Sequence, residues 1–125
     1  MTIPIALRYC SFLLLASAIT SCSGPEQEPL IGHYSTAYTE DGDPVLYFDD
    51  PQLGPTKLDW PSVVGTAKGY VAACNDSCYL FSASAATVEA ARRSRIGPFT
   101  DLAACERKVF QLTGDSLQIR SLVNF

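Results

Sequence analysis

The chain has 125 residues, with nine lysines and arginines, thirteen aspartates and glutamates, and a formal net charge of −4. This length suffices for one small domain, and the acidic balance argues against nucleic acid as a partner, because nucleic acid attracts a basic face. The acidity is uneven, since residues 22–59 contain eight acidic and one basic side chain, whereas residues 60–125 contain five acidic and seven basic ones. The first half is therefore predicted either to meet something basic or to be a solvated acidic surface.

Residues 1–21 are predicted to form a secretory signal peptide. Arg8 is the only charged residue before Glu26, and an apolar run follows it at residues 12–19. This run is too short to cross a bilayer, which takes about 20 apolar residues. A short basic head, a short apolar run and small residues after it are typical of a leader that is removed on export.

The end of this leader, Ile19-Thr20-Ser21-Cys22, resembles the lipobox of bacterial lipoproteins. The resemblance implies a diacylglyceryl thioether on Cys22, cleavage before Cys22 and acylation of the new amine. Several acyl chains hold a protein at a membrane, whereas one chain anchors it poorly. In lipoproteins of two-membrane bacteria, a residue such as Ser23 after the cysteine favours the outer membrane. We therefore predict a lipid anchor on the periplasmic face of the outer membrane; the alternatives are an ordinary cleaved signal or an N-terminal helix.

The mature chain is predicted to begin with a flexible tether at residues 22–29, because this stretch has two prolines, a glycine and no large apolar side chain. Residues 30–125 are predicted to form a single periplasmic domain. Alternating or β-rich stretches predict strands at residues 33–38, 45–49, 62–66, 70–74, 78–82 and 116–123. The segment 50–55 is predicted to be a loop because of its two prolines.

Two helices are predicted in the second half of the chain. Thr87 is expected to cap a short helix at residues 88–94, and Thr100 a longer one that ends at Gly114. The order of elements predicts an α+β fold: a small antiparallel sheet of about five or six strands, with one main helix and one short helix packed on one face. The expected core consists of Val45, Tyr47, Val63, Val71, Tyr79, Phe81, Leu102, Val109, Leu112, Leu117 and Ile119.

Three cysteines remain after the predicted lipidation, namely Cys74, Cys78 and Cys105. In an exported protein such thiols are expected to oxidise where the geometry allows. Cys74 and Cys78 flank a three-residue hairpin loop and would face each other at a Cα separation of about 4.5 Å, within the range of a disulfide. A bridge from either of them to Cys105 is the alternative. The C-x-x-x-C spacing on a hairpin argues against a redox site.

Two groups of residues are candidates for binding. Arg92, Arg93 and Arg95, with Arg107 and Lys108, would form a basic patch able to meet lipid phosphates or cell-wall carboxylates, or would simply be a solvated helix face. Tyr38 and Trp60, in the acidic half, are of the residue types that anchor protein interfaces, although strand packing would use them equally well.

No catalytic or metal-binding set is recognisable in the sequence. His33 is the single histidine, and no nucleophile is placed beside it. The aspartates at 41, 43, 49 and 50 lack the spacing of a calcium loop, and a zinc site from His33 and the three cysteines is disfavoured in an oxidising compartment. We therefore predict a protein that is not an enzyme and needs no cofactor or metal.

The stretch Arg95-Ile96-Gly97-Pro98-Phe99-Thr100, with the helix and the strand that follow it up to residue 122, resembles the second half of a SPOR domain. SPOR domains are α+β and bind cell-wall glycan stripped of its peptides. The chain departs from that family before residue 95, where two strands would be expected between the helices. The leading hypothesis is accordingly an envelope lipoprotein that binds a protein partner, and the alternative is a peptidoglycan-binding module.

Overall fold

The computed structural model describes residues 27–123, which form two antiparallel sheets and two helices. The predicted signal peptide, Cys22 and the tether up to Glu26 lie outside the described residues. The strands are β1 (Glu28–Pro29), β2 (Tyr34–Tyr38), β3 (Pro44–Asp50), β4 (Gly54–Asp59), β5 (Val63–Ala67), β6 (Tyr70–Cys74), β7 (Cys78–Ser82), β8 (Ile96–Phe99) and β9 (Gln118–Ser121). The helices are α1 (Val88–Arg93) and α2 (Leu102–Thr113).

The first sheet contains strands β1 to β4 in sequence order. The predicted hairpin between β2 and β3 is confirmed, with Tyr38 opposite Pro44, and Gly42 in its turn has a φ of +86° that favours glycine. The prediction of a loop at residues 50–55 is wrong at its end, because β4 begins at Gly54. Pro55 is tolerated there because β4 is an edge strand. Ordered structure also begins earlier than expected, since β1 lies within the predicted tether.

The second sheet has the strand order β8-β7-β6-β5-β9. The predicted hairpin of β6 and β7 is confirmed, and β9 pairs with β5 rather than with a strand beside it in sequence. Strand β8 was not predicted, because the Gly97-Pro98 pair was interpreted as a break after the first helix. It forms the other edge of the sheet and pairs with β7. The chain therefore has two sheets with nine strands within the described residues, and the prediction of one sheet is wrong.

The two sheets and α2 lie in three layers. One core, between the sheets, contains Tyr34 and Phe48 from the first sheet, Val71 and Phe81 from the second, and Val88 of α1. A second core lies between the other face of the second sheet and α2, because successive strand residues point to opposite faces. Its buried members include Ala72, Leu80, Cys105, Val109 and Leu117. The prediction that both helices pack on one face is not confirmed, since their buried residues belong to different cores.

The expected core is correct in part. Val45, Tyr47, Val71, Phe81, Val109 and Leu117 are buried, and Val63, Tyr79 and Leu102 are partly buried. Leu112 and Ile119 are exposed, because α2 packs on β6, β7 and β8 and does not cover the β5–β9 side of the sheet. Tyr34, Leu46, Phe48, Val64 and Leu80 are fully buried and were not expected.

Both helices begin at side-chain caps. Thr87 accepts a hydrogen bond from the Ala90 N–H and caps α1, as predicted. The cap of α2 is Asp101 rather than Thr100, because the Asp101 carboxylate accepts the Ala104 N–H at 2.8 Å. A carboxylate at this position also faces the positive end of the helix dipole. Gly114 ends α2 in the left-handed conformation, as predicted.

Candidate functional site

Tyr38 and Trp60 lie at the same end of the first sheet. Tyr38 ends β2, Trp60 follows β4, and the two strands flank β3, where Tyr38 pairs with Pro44 and Asp59 with Leu46. Neighbouring strands are about 4.8 Å apart, so the two aromatic residues are separated by about two strand spacings. Their side chains are 50% and 52% exposed. The two residues predicted as interface anchors are therefore brought together and remain accessible.

An acidic cleft of about 670 Å³ opens beside Tyr38. It is lined by two tyrosines, one lysine and three acidic residues of the β2–β3 turn: Tyr38, Tyr47, Lys57, Glu40, Asp41 and Asp43. The Tyr38 hydroxyl donates a hydrogen bond to the Leu122 carbonyl at 2.8 Å, which fixes the ring at the rim of the cleft. We name the Tyr38 and Trp60 side chains, with the three acidic turn residues, the aromatic–acidic end of the domain.

The predicted basic patch is divided between two parts of the fold. Arg92 and Arg93 are exposed at the end of α1, and Arg95 follows them with its guanidinium 4.7 Å from the Tyr79 ring centroid. Arg93 forms an exposed ion pair with Glu89 at 3.6 Å. Arg107 and Lys108 belong to α2, which packs on the other face of the second sheet. The three arginines near α1 thus form a group of their own.

The cysteines adopt one of the three pairings that the sequence left open. Cys74 and Cys78 are directly opposed across the hairpin and form a disulfide with a Cα–Cα distance of 4.1 Å. Within residues 27–123, Cys105 is the free cysteine, and it is buried in the same core as the disulfide. Burial, with a smaller effect of Glu106, raises the pKa of the Cys105 thiol to about 11. The thiol therefore stays protonated at neutral pH, and a thiolate nucleophile is disfavoured.

His33 and Asp50 both contact other parts of the first sheet or its turns. The exposed His33 ring lies 5.4 Å from the Phe48 ring. The buried Asp50 carboxylate accepts hydrogen bonds from the backbone N–H groups of Val88, Gln52 and Leu53. It thereby joins the β3–β4 turn to the first residue of α1. These backbone hydrogen bonds, with that from Val88 the largest, lower the pKa of Asp50.

Asp50 is expected to stabilise the fold in a pH-dependent way. Because its folded pKa lies below the ordinary value of 3.8, its contribution is present above that value and is lost as pH falls through the folded pKa. Asp50→Asn should lower the melting temperature at pH 7, and its gap from the wild type should shrink below about pH 4. Asp49→Asn, at an exposed neighbour, is the control in thermal melts and should change little. A gap that is unchanged at pH 3 would contradict this account of Asp50.

Two kinds of feature, a metal-binding group of side chains and a membrane-spanning helix, are absent from the residues that the structure describes. Between Gln27 and Val123, no three or more His, Cys, Asp or Glu side chains are grouped so that they could hold a metal ion. No helix in this part of the chain has both the length and the apolar character that a membrane span requires.

Arg120, which no motif in the sequence marks, lies on β9 and reaches the first sheet. Its guanidinium donates a hydrogen bond to the Thr36 hydroxyl at 3.2 Å and forms an ion pair with Glu28. The alternation of β9 places Arg120 on the side opposite Leu117. That side faces the first sheet, whereas Ile119, on the other side of β9, is exposed.

Comparisons of the chain with protein-family models, with curated proteins and with solved structures found no match in any of the three. The resemblances to a lipobox and to a SPOR domain therefore stay predictions from the sequence.

Proposed function

We propose that the chain is an envelope lipoprotein, without enzymatic activity, whose domain binds a protein partner through its aromatic–acidic end. The observation that carries this proposal is the pair of half-exposed aromatic side chains, Tyr38 and Trp60, on either side of β3. Large aromatic side chains are the commonest anchors of protein interfaces, because they bury much surface at a small cost in side-chain entropy.

The charge around this pair indicates the kind of partner. Glu40, Asp41 and Asp43 line the cleft beside Tyr38, and Lys57 is the only base in it. An acidic rim attracts a basic surface and accelerates encounter more than it strengthens the final complex. We therefore propose a partner with a basic surface, whose association is fast at low salt and slower at high salt.

The proposed location follows from the leader and the tether. In this proposal, residues 1–21 are a signal peptide, Cys22 carries the lipid, residues 22–27 are the tether, and one periplasmic domain begins with β1 at Glu28. The outer membrane is the proposed site, by the resemblance at Ser23. An anchored domain meets partners at the membrane at a raised effective concentration, so even a modest interface would suffice.

A crosslinking experiment tests the partner proposal. A photoreactive amino acid at Trp60 should trap a discrete protein in cells, whereas the same group at Leu53 should not. Leu53 is a matched control, because it is 71% exposed and lies just before β4, at the opposite end from Trp60. In the chain that carries the photoreactive group at position 60, Tyr38→Ala should weaken capture about tenfold or more.

Crosslinking from position 60, together with pelleting of the chain with peptidoglycan, distinguishes this proposal from the alternative, a peptidoglycan-binding module. What favours that alternative is the Arg95 guanidinium held over Tyr79 beside Arg92 and Arg93. If the peptidoglycan-binding alternative is correct, the photoreactive group at position 60 traps no protein, and the wild-type chain pellets with peptidoglycan at low salt. The chain in which Arg92 and Arg95 are both replaced by Glu does not pellet. Equal capture from positions 53 and 60 would contradict a specific partner at the aromatic–acidic end.

A further inference from the structure

A groove of about 350 Å³ lies where the two sheets meet, between β2 and β9. Thr36, Ala37 and Tyr38 line one wall, and Arg120 and Leu122 line the other. The groove is distinct from the acidic cleft, although Tyr38 borders both. Strand β1 also lines the groove and brings Glu28 to the Arg120 guanidinium.

The hydrogen bonding of Arg120 is incomplete in this arrangement. One terminal nitrogen donates to the Thr36 hydroxyl, and the other forms the ion pair with Glu28. In the described part of the chain, the buried Nε atom has no hydrogen-bond acceptor. A guanidinium has five N–H donors and binds a carboxylate best through two parallel hydrogen bonds. Arg120 is therefore able to bind a carboxylate more completely than it binds Glu28.

Strand β1 is short, and hydrogen bonds from Gln27 to the Ser35 hydroxyl and from the Leu30 N–H to the Tyr34 carbonyl flank it. It is two residues long and pairs with Ser35 and Thr36 alone. The Glu28 side chain is 66% exposed and that of Arg120 is 39% exposed, so water screens their ion pair. Among residues 27–123, the strand pairing of β1 ends at Thr36 and does not reach Ala37 and Tyr38 on the same edge of β2. A longer strand would find more backbone partners on this edge than β1 does.

We propose that this groove is a docking site for an extended peptide that carries a carboxylate, and that β1 is its internal substitute. The incoming segment displaces β1, pairs antiparallel with β2 and presents a Glu or Asp to Arg120 in place of Glu28. Backbone pairing gives the affinity of such a site, and the side-chain position at Arg120 gives its selectivity. This inference goes beyond the proposed function, because it requires neither the lipid anchor nor a basic partner.

The proposal predicts competition between β1 and any incoming peptide. A segment in the same chain acts at an effective concentration of the order of millimolar, so the wild-type groove should bind a free peptide weakly. Removing the Glu28 charge should release the groove, whereas removing Arg120 should abolish binding. Opposite effects of two substitutions in one ion pair are not expected from a purely structural contact.

The test uses a fluorescent synthetic peptide with the sequence of residues 24–31 and the whole chain in detergent micelles. Anisotropy should show the peptide bound at least about tenfold more tightly by Glu28→Gln than by the wild type. Adding Arg120→Gln to the Glu28→Gln chain should remove the gain in peptide affinity. Arg120→Lys keeps the charge but loses the planar guanidinium, so it should remove the gain as well. Arg107→Gln, on α2, is the matched control and should leave binding unchanged.

Three results would overturn the docking site. They are no binding to Glu28→Gln at millimolar peptide, equal binding of a peptide whose residue 28 is Gln, and retained binding after both Arg120 substitutions. Each result is independent of crosslinking from position 60. A negative peptide-binding result would therefore leave the proposed function intact, and a negative crosslinking result would leave the docking site intact.

Discussion

The Cys22→Ser chain is expected to incorporate no palmitate and to accumulate at its full length of 125 residues. Cys22 supplies the only thiol at the predicted cleavage point, so its loss removes the acceptor of the thioether, and cleavage and acylation should both stop. The wild-type protein should be 21 residues shorter and partition into the detergent phase, because each buried acyl CH₂ adds about 0.8 kcal/mol of membrane affinity. Metabolic labelling with palmitate, with mass measurement, makes the comparison.

Cys10→Ser is the matched control for the anchor, because Cys10 lies inside the predicted leader and is discarded with it. This chain should be labelled and cleaved like the wild type. A soluble wild-type protein without label, cut at another bond, would contradict the lipobox interpretation and the proposed outer-membrane location together.

Phe48→Ala is expected to lower the free energy of unfolding by about 3–5 kcal/mol, the usual cost of emptying a large aromatic site in a core. Phe48 is fully buried, and its ring makes an edge-to-face contact with Tyr34 at a centroid distance of 5.1 Å. It belongs to the core that joins the first sheet, the second sheet and α1, so the cavity would open where three elements meet. Urea unfolding followed by circular dichroism measures the change.

Phe110→Ala is the same substitution on the surface. Phe110 lies on α2 and is 63% exposed, so its removal should change the unfolding free energy by no more than about 0.5 kcal/mol. Similar losses for the two variants would show that the core between the sheets is not where the stability of the fold resides.

Local signals in the sequence predicted the elements that depend on local chemistry. The strand β2, the turn at Gly42 and the Thr87 cap were each predicted from signals within a few residues, and each is confirmed. The pairing of Cys74 with Cys78 was among the options left open, since a short hairpin loop places its flanking residues opposite each other.

The wrong expectation of a single sheet concerns strands that are buried on both faces. Along β3, Leu46 and Phe48 face the core between the sheets, while Val45 and Tyr47 are also buried, so the apolar period of two disappears. The run 71–74 in β6 is buried throughout for the same reason. A continuous apolar run shows that a strand is central, but it does not show which of its side chains share a core. The division of the strands into two sheets could therefore not be predicted from the sequence.

The candidate sites depended on contacts distant in sequence. Arg120 and Thr36 are 84 residues apart, as are Tyr38 and Leu122. Asp50 reaches Val88 across 38 residues. Nothing in the local sequence distinguishes these polar residues from solvated ones, because their hydrogen bonds are made to elements that are distant in sequence.

The second sheet forms a wall of both cores, with Val71 and Phe81 on one side and Ala72 and Leu80 on the other. Neither core can persist once this sheet opens, because each would lose half of its apolar surface to water. The first sheet and α2 are therefore coupled although they lie on opposite sides of it. Unfolding should accordingly be all-or-none, with the first sheet and α2 melting at one temperature and not as separate halves.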